Sequence, residues 1–182
     1  SIPWCANLIN NPNYSTTATS SRIAKGSTED SFFPETLQAE RTIRKCLTLN
    51  SRPNKSLDPP IQEACTFFEL GNGLNGFPNI SHGGFVATLL DEEMGILLTV
   101  NQELVNKESK THEEITYMTA YLNVSYKAPV KTPGIVLVEA KVVKNKNRKI
   151  FVRGAVKDEF GKELAVGEGL FIKLESDPRA KL

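Results

Sequence analysis

The chain lacks an apolar run long enough to cross a bilayer: its best stretch near a helix, Phe85 to Leu98, is broken by Asp91, Glu92 and Glu93. It also lacks charge of one dominant sign. With 22 Lys and Arg against 21 Asp and Glu, the net charge of +1 gives no reason to expect a nucleic-acid or membrane-surface partner. Cysteine is scarce, and the three thiols, Cys5, Cys46 and Cys65, fit neither a disulfide framework nor a Cys-x-x-Cys metal site; reduced, structural thiols are expected. Only two histidines are present, His82 and His112, and His112-Glu113-Glu114 lacks the second histidine of a zinc motif, so no metal is expected. Phe160-Gly161-Lys162 lacks the earlier glycine of a phosphate-binding loop, which leaves nucleotide hydrolysis unsupported. No basic region followed by an apolar stretch opens the chain. The Asn-x-Ser sequons at Asn13, Asn54, Asn79 and Asn123 are therefore read as chance in a cytoplasmic protein, with a mitochondrial location expected only if a targeting segment has been removed before Ser1.

What is present is enough for one substantial core: 182 residues, 40% of them hydrophobic. Residues 6 to 31 are rich in Asn, Ser, Thr and Pro and read as an arm that wraps the surface. Pro34 to Leu47 carries spaced apolar residues behind a proline suited to a helix start, so a leading helix is expected there. Three prolines between Asn50 and Pro60 mark a connection. The expected organisation is an N-terminal arm and helix over residues 1–60, packed on a compact domain over 61–176.

Within that domain, Cys65 to Leu70 is a β-branched and aromatic run ended by Gly71-Asn72-Gly73, which predicts a strand. A 3.6-residue period from Gly84 to Val100 predicts a helix of about four turns. Extended segments follow at Ile115 to Pro129, Gly134 to Lys144, Lys149 to Lys157 and Glu163 to Leu174, separated by turn chemistry. One strand, one long helix and about four antiparallel strands make an α+β order. The simplest way to bury the helix stripe is for the sheet to curl around it, the hotdog arrangement. A sheet with an exposed edge then invites a second copy.

Candidate chemistry gathers at one end of the helix. His82-Gly83-Gly84 lies where a Gly-rich loop enters it, so first-turn N–H groups lack intrahelical partners and a ligand can approach the backbone closely. The helix dipole adds partial positive charge, which suits an oxyanion; the bland alternative is an ordinary flexible helix start. Asp91 projects to the edge of the stripe formed by Val86, Leu90, Met94 and Leu97, where a carboxylate can act as nucleophile or as a base on water; a solvated helix charge is the alternative. Glu93 projects into the apolar stripe while Glu92 points away, which makes Glu93 a second acid/base candidate with a raised pKa if buried. Lys144, Lys146, Arg148 and Lys149 crowd one hairpin turn, either as a solvated loop or as a contact to phosphates.

The segment His82-Gly83-Gly84-Phe85-Val86-Ala87-Thr88-Leu89-Leu90-Asp91-Glu92-Glu93-Met94-Gly95 closely resembles the signature of hotdog acyl-CoA thioesterases of the phenylacetate-pathway type. Tyr121 to Pro129 resembles that family's second strand, the similarity covers roughly residues 62 to 174, and Ile2-Pro3-Trp4-Cys5 is similar to the arm of fungal members. The resemblance implies that the Gly83 N–H polarises the thioester carbonyl, that Asp91 attacks it or activates water, that His82 shapes the loop, and that Thr119 helps to place the water or carboxylate. It implies no cofactor beyond the coenzyme A or phosphopantetheine of the substrate. It further implies a homodimer or dimer of dimers, with the glycine turn and the acid supplied by different subunits, and admits an acyl carrier protein as partner. Gly84, Asn75, Asn79, Lys144, Arg148 and Lys149 are expected to bind substrate. Two departures stand out: Gly76 occupies a position where relatives often carry asparagine, with Asn75 and Asn79 nearby, and Glu93 replaces a small or apolar residue.

Hydrolysis of an acyl thioester is the leading expectation. Release or cyclisation of a carrier-bound polyketide or peptide keeps the same fold, with Glu93 as its motive. A dehydratase is suggested by Gly76-Phe77-Pro78, although that loop normally has histidine where Gly76 stands. A non-catalytic binding module is the fourth alternative.

Overall fold

A computed structural model describes residues 3–109 and 116–174; His112 and its acidic neighbours lie outside them. Seven antiparallel strands form the main sheet, and one long helix lies across its inner face. In chain order the elements are α1 (Pro3–Ile9), β1 (Tyr14–Thr17), β2 (Ile43–Ser51), β3 (Glu63–Leu70), a small hairpin of β4 (Asn75–Phe77) and β5 (Ile80–Ser81), α2 (Gly83–Ser109), then β6 (Tyr117–Tyr126), β7 (Gly134–Lys146), β8 (Lys149–Lys157) and β9 (Glu163–Lys173). The strand order β1-β2-β3-β7-β8-β9-β6 places β6 at one edge. This is the hotdog fold expected from the alternation of the last four strands and the 3.6-residue period before them.

The helix seats closely because the sheet beneath it is short of side chains. Leu90 and Met94 rest over Gly154, Gly167 and Gly169, and a Cβ added at Gly169 would stand 2.6 Å from the Met94 sulfur. Alanine at Gly169 would push the helix outward. Around this contact Leu89, Leu90, Met94 and Leu97 are fully buried against Val138, Val152 and Val156. Each side chain of this size contributes roughly 1.5–3 kcal/mol through burial, so the helix stripe holds the two layers together.

The helix expected over Pro34 to Leu47 does not form. A five-residue π turn, Phe32–Thr36, closes through the Leu37 N–H to the Phe32 carbonyl at 3.0 Å; the Ile43 N–H donates to the Leu37 carbonyl at 2.9 Å, and β2 runs out from Ile43. The physical reason is tertiary: β3 offers a full ladder of partners, from Ile43 opposite Leu70 to Asn50 opposite Ala64, and that ladder outweighs local helix propensity. Because β1 and β2 share one sheet with β3, the sheet crosses the expected division at residue 60. The arm before β1 carries α1, which lays Trp4, Cys5 and Leu8 over the outer sheet face; Trp4 meets Phe67 edge-on at 5.1 Å between ring centroids.

Candidate active site

The turn into α2 is organised by His82. Its N–H donates to the Leu74 carbonyl at 2.8 Å, and its Nδ1 accepts the Gly84 N–H at 3.0 Å. That second bond makes Nδ1 an acceptor, so in the neutral ring the proton lies on Nε2. The imidazole thus takes up the Gly84 donor, while the Gly83 N–H has no partner among the described residues. An unpaired N–H at the first position of a 27-residue helix is the kind of donor an oxyanion can use.

Two neighbours fix this turn. Tyr126, near the end of β6, donates its hydroxyl to the Gly83 carbonyl at 2.9 Å. Asn75 and Thr132 are hydrogen-bonded through their side chains, and Asn79, in the left-handed region at φ 60°, accepts the Thr132 N–H at 3.0 Å. Asn75 and Asn79 therefore staple the loop that carries His82 to the segment before β7. Gly76 lies against His82, where an added Cβ would stand 3.0 Å from the His82 Cα, so a bulkier residue there would displace the histidine.

Asp91 sits two turns along α2, half-buried, and accepts the Thr119 hydroxyl at 3.0 Å. Thr119 belongs to β6, the edge strand. Helix and edge strand thus meet at a carboxylate with one oxygen bonded and the other available to a water or substrate.

Glu93 does not join this group. It turns the opposite way and is completely buried. Burial pushes its carboxyl well above the usual range. The Thr66 hydroxyl offsets only part of this, being itself bonded to Thr48 at 2.8 Å, and the charges of Glu92 and Glu139 add to the rise. Neither Glu93 oxygen has a hydrogen-bond partner of good geometry. Lys144, Arg148 and Lys149 are also apart from the turn. They lie at or near the β7–β8 hairpin, where the register sets Lys149 level with Met118 and Lys144 level with Tyr121 of β6, whereas the Gly83 turn is level with Tyr126 at its end. Lys144 and Lys149 are exposed, and Arg148 donates to the Lys173 carbonyl at 3.0 Å.

Residues 79–165 match the family model of the thioesterase superfamily. That match covers a little under half of the chain. Verlamelin biosynthesis protein B of Lecanicillium sp is 28% identical over 87% of this chain and 78% of its own length. The acyl-coenzyme A thioesterase THEM4 of Rattus norvegicus is 32% identical over 60% of this chain, and that match spans 43% of its length. A hypothetical thioesterase protein of Streptococcus pneumoniae, solved with coenzyme A, has the same fold at a TM-score of 0.53 and 11% identity, covering 63% of this chain and 80% of its own.

The residues matched by that family model include the Gly83 turn, Asp91 and Thr119 together. Two contributors escape a reading of residue types. Tyr126 is an aromatic at the end of a strand, and only the register that brings it over Gly83 reveals its bond; its place just before Lys127-Ala128-Pro129 was the available signal. Glu92 points away from the core stripe, yet the arm folds over it and burial raises its carboxyl to about 7, against a partial offset from Ser21.

Proposed function

We propose that this thioesterase-superfamily chain hydrolyses an acyl thioester of coenzyme A or of carrier-protein phosphopantetheine, with Asp91 as the base on water and the Gly83 N–H as oxyanion donor. Water adds to the thioester carbonyl carbon as Asp91 takes its proton, the negative oxygen turns to the Gly83 N–H, and the carbon–sulfur bond then breaks. The thiolate leaves with the proton Asp91 held, and the acyl group departs as a carboxylic acid. Thr119, donating to one Asp91 oxygen, keeps the other directed at the water.

One observation carries the assembly. Eight residues separate Gly83 from Asp91 on a continuous helix, a rise of about 12 Å, so one carbonyl cannot touch both groups of the same chain. A second copy answers this if it docks on β6, which pairs only with β9 among the described residues and leaves Met118 and Tyr126 55% and 57% exposed. Each site then takes Gly83 from one protomer and Asp91 from its partner.

Thiol release from a panel of acyl-CoA esters tests the reaction; its absence with every ester and with acyl carrier protein would refute it. Subunit mixing tests the assembly. Gly83→Pro removes the donor at a helix position where proline is tolerated, and Asp91→Asn removes the base. Mixed in equal amounts, the two inactive proteins should recover about a quarter of wild-type turnover. No recovery on exchange would mean that both groups act within one chain.

A second reading, release or cyclisation of a carrier-bound chain, is favoured by the alignment that spans most of both this chain and a protein named for verlamelin biosynthesis. Faster turnover of one acyl group on a carrier protein than on coenzyme A would select it.

A further inference from the structure

One strand, β6, touches both halves of the site, and it does so against its own alternation. Thr119 bonds Asp91, and Tyr126 bonds the Gly83 carbonyl. Seven residues apart, these two side chains would face opposite sides of a regular strand. The register resolves this: Thr119 pairs with Phe171 and Tyr121 with Leu170, so Ala120 is the extra residue of a β-bulge. Beyond it Leu122 pairs with Gly169, Val124 with Gly167 and Tyr126 with Ala165. Phe171 and Ala165 are buried in the core, and Met94 of α2 lies against Gly167 and Gly169, so these β9 positions all belong to the face beneath the helix. The bulge turns both Thr119 and Tyr126 to that face.

The Gly83 N–H lies on the peptide that joins His82 to Gly83, and the carbonyl of that peptide accepts the Val86 N–H at 3.1 Å. The peptide before it is held by the His82 N–H on the Leu74 carbonyl at 2.8 Å. The peptide after it is held at both ends: the Gly84 N–H donates to His82 Nδ1 at 3.0 Å, and the Gly83 carbonyl accepts the Tyr126 hydroxyl at 2.9 Å. The Tyr126 ring also lies on Gly83, where an added Cβ would stand 3.6 Å from the hydroxyl. With no side chain at Gly83 to restrict the backbone, these neighbours set the direction of its donor. A donor fixed before the oxyanion forms needs no reorganisation as it forms.

We propose that Tyr126 is a positioning residue for the Gly83 donor and that each β6 serves two different sites. Its Thr119 steadies the acid of the site that uses its own chain's Asp91, and its Tyr126 steadies the donor of the site whose acid comes from the partner. The division between sites rests on the two-chain reading above; the hold of Tyr126 on the glycine turn does not.

Subunit mixing separates these roles. A pair of Asp91→Asn and Gly83→Pro chains forms one working site, built from Gly83 of the first chain and Asp91 of the second. With Tyr126→Phe added to the Asp91→Asn chain, recovered kcat should be about fivefold lower than with the same change on the Gly83→Pro chain, and KM alike, as for one hydrogen bond acting on the transition state. Thr119→Val should give the opposite order. Either placement sets one changed tyrosine at the interface, so a role in folding or in dimer contact would lower both mixtures equally. Equal values, or the reverse order, would overturn the role of Tyr126. The pair without Tyr126→Phe is the control: no recovery there overturns the shared site and the division of β6 with it. If no ester is turned over, the thioesterase reading fails by itself, and hydrogen exchange at the Gly84 amide, followed by NMR, still decides the hold on the turn. Exchange about fivefold faster in Tyr126→Phe than in wild type supports it, and equal exchange overturns it.

Discussion

Asp91 and Glu93 stand two residues apart on α2 in opposite surroundings. Asp91 faces the edge strand, half-buried, with Thr119 bonded to one oxygen at 3.0 Å. Glu93 faces β3 beneath the sheet, fully buried, with neither oxygen bonded. A helix turns about 100° per residue, so two positions carry a side chain from one wall to the other. The same functional group is thereby a reagent in one place and a burden on stability in the other. A carboxylate that meets water can exchange a proton with a substrate, whereas one sealed beneath Thr66 gains nothing from ionising.

Four measurements sharpen or break this contrast, from the largest expected effect to the smallest. Asp91→Asn should lower kcat by roughly 10²–10⁴-fold in a thiol-release assay with little change in melting temperature. Turnover close to wild type would remove Asp91 from the chemistry. Glu93→Gln should do the reverse, raising the melting temperature by several degrees near neutral pH while leaving a folded enzyme. Because the folded-state pKa of Glu93 lies above the ordinary 4.5, the native protein holds the extra proton. The stability this provides is fully present below about pH 4.5 and is lost as pH rises through the folded value. Glu92 acts in the same sense between 4.5 and about 7. Thermal unfolding of the wild type at about pH 5 and about pH 8 should therefore show a fall that Glu93→Gln reduces. A parallel fall in both proteins would mean that Glu93 is not the buried charge responsible.

Thr119→Val keeps the shape of the strand and removes one hydrogen bond to Asp91, so kcat should drop about tenfold, equivalent to about 1.4 kcal/mol. An unchanged kcat would show that Asp91 needs no help in orientation. The smallest effect is expected at Glu163, which is paired with Lys127 and Arg153 at 2.6 Å each and whose pKa these partners lower to about 2. The stability from these pairs is present above about pH 4.5 and fades as pH falls towards 2. The pairs are partly exposed, so Glu163→Gln should cost no more than about 1 kcal/mol in chemical unfolding at neutral pH.

The late strands and the long helix were legible because each carries its own period: β8 runs over the same residues, Lys149–Lys157, that the alternation marks. The segment Pro34 to Leu47 was not, since its spaced apolar residues suit a helix locally and only the partner strand β3 draws Ile43–Ser51 into the sheet. The core of the site was legible for a similar local reason. His82, Gly83 and Gly84 define a helix entry, and Asp91 follows at a fixed helical offset. The Thr119 contact came from the resemblance, because a strand 28 positions away can reach Asp91 only through the register of β6 on β9. Tyr126 and the roof over Glu92 carried no comparable signal.

The amino-acid sequence by itself determined the class of the fold, the position of the helix start and the two acids that face different walls, because helical and strand periods are properties of neighbouring residues. Tertiary structure decided which of those acids meets solvent, how the N-terminal strands extend the sheet, and that the arm folds over Glu92. Those features depend on contacts between residues distant in the chain, and no local period encodes them.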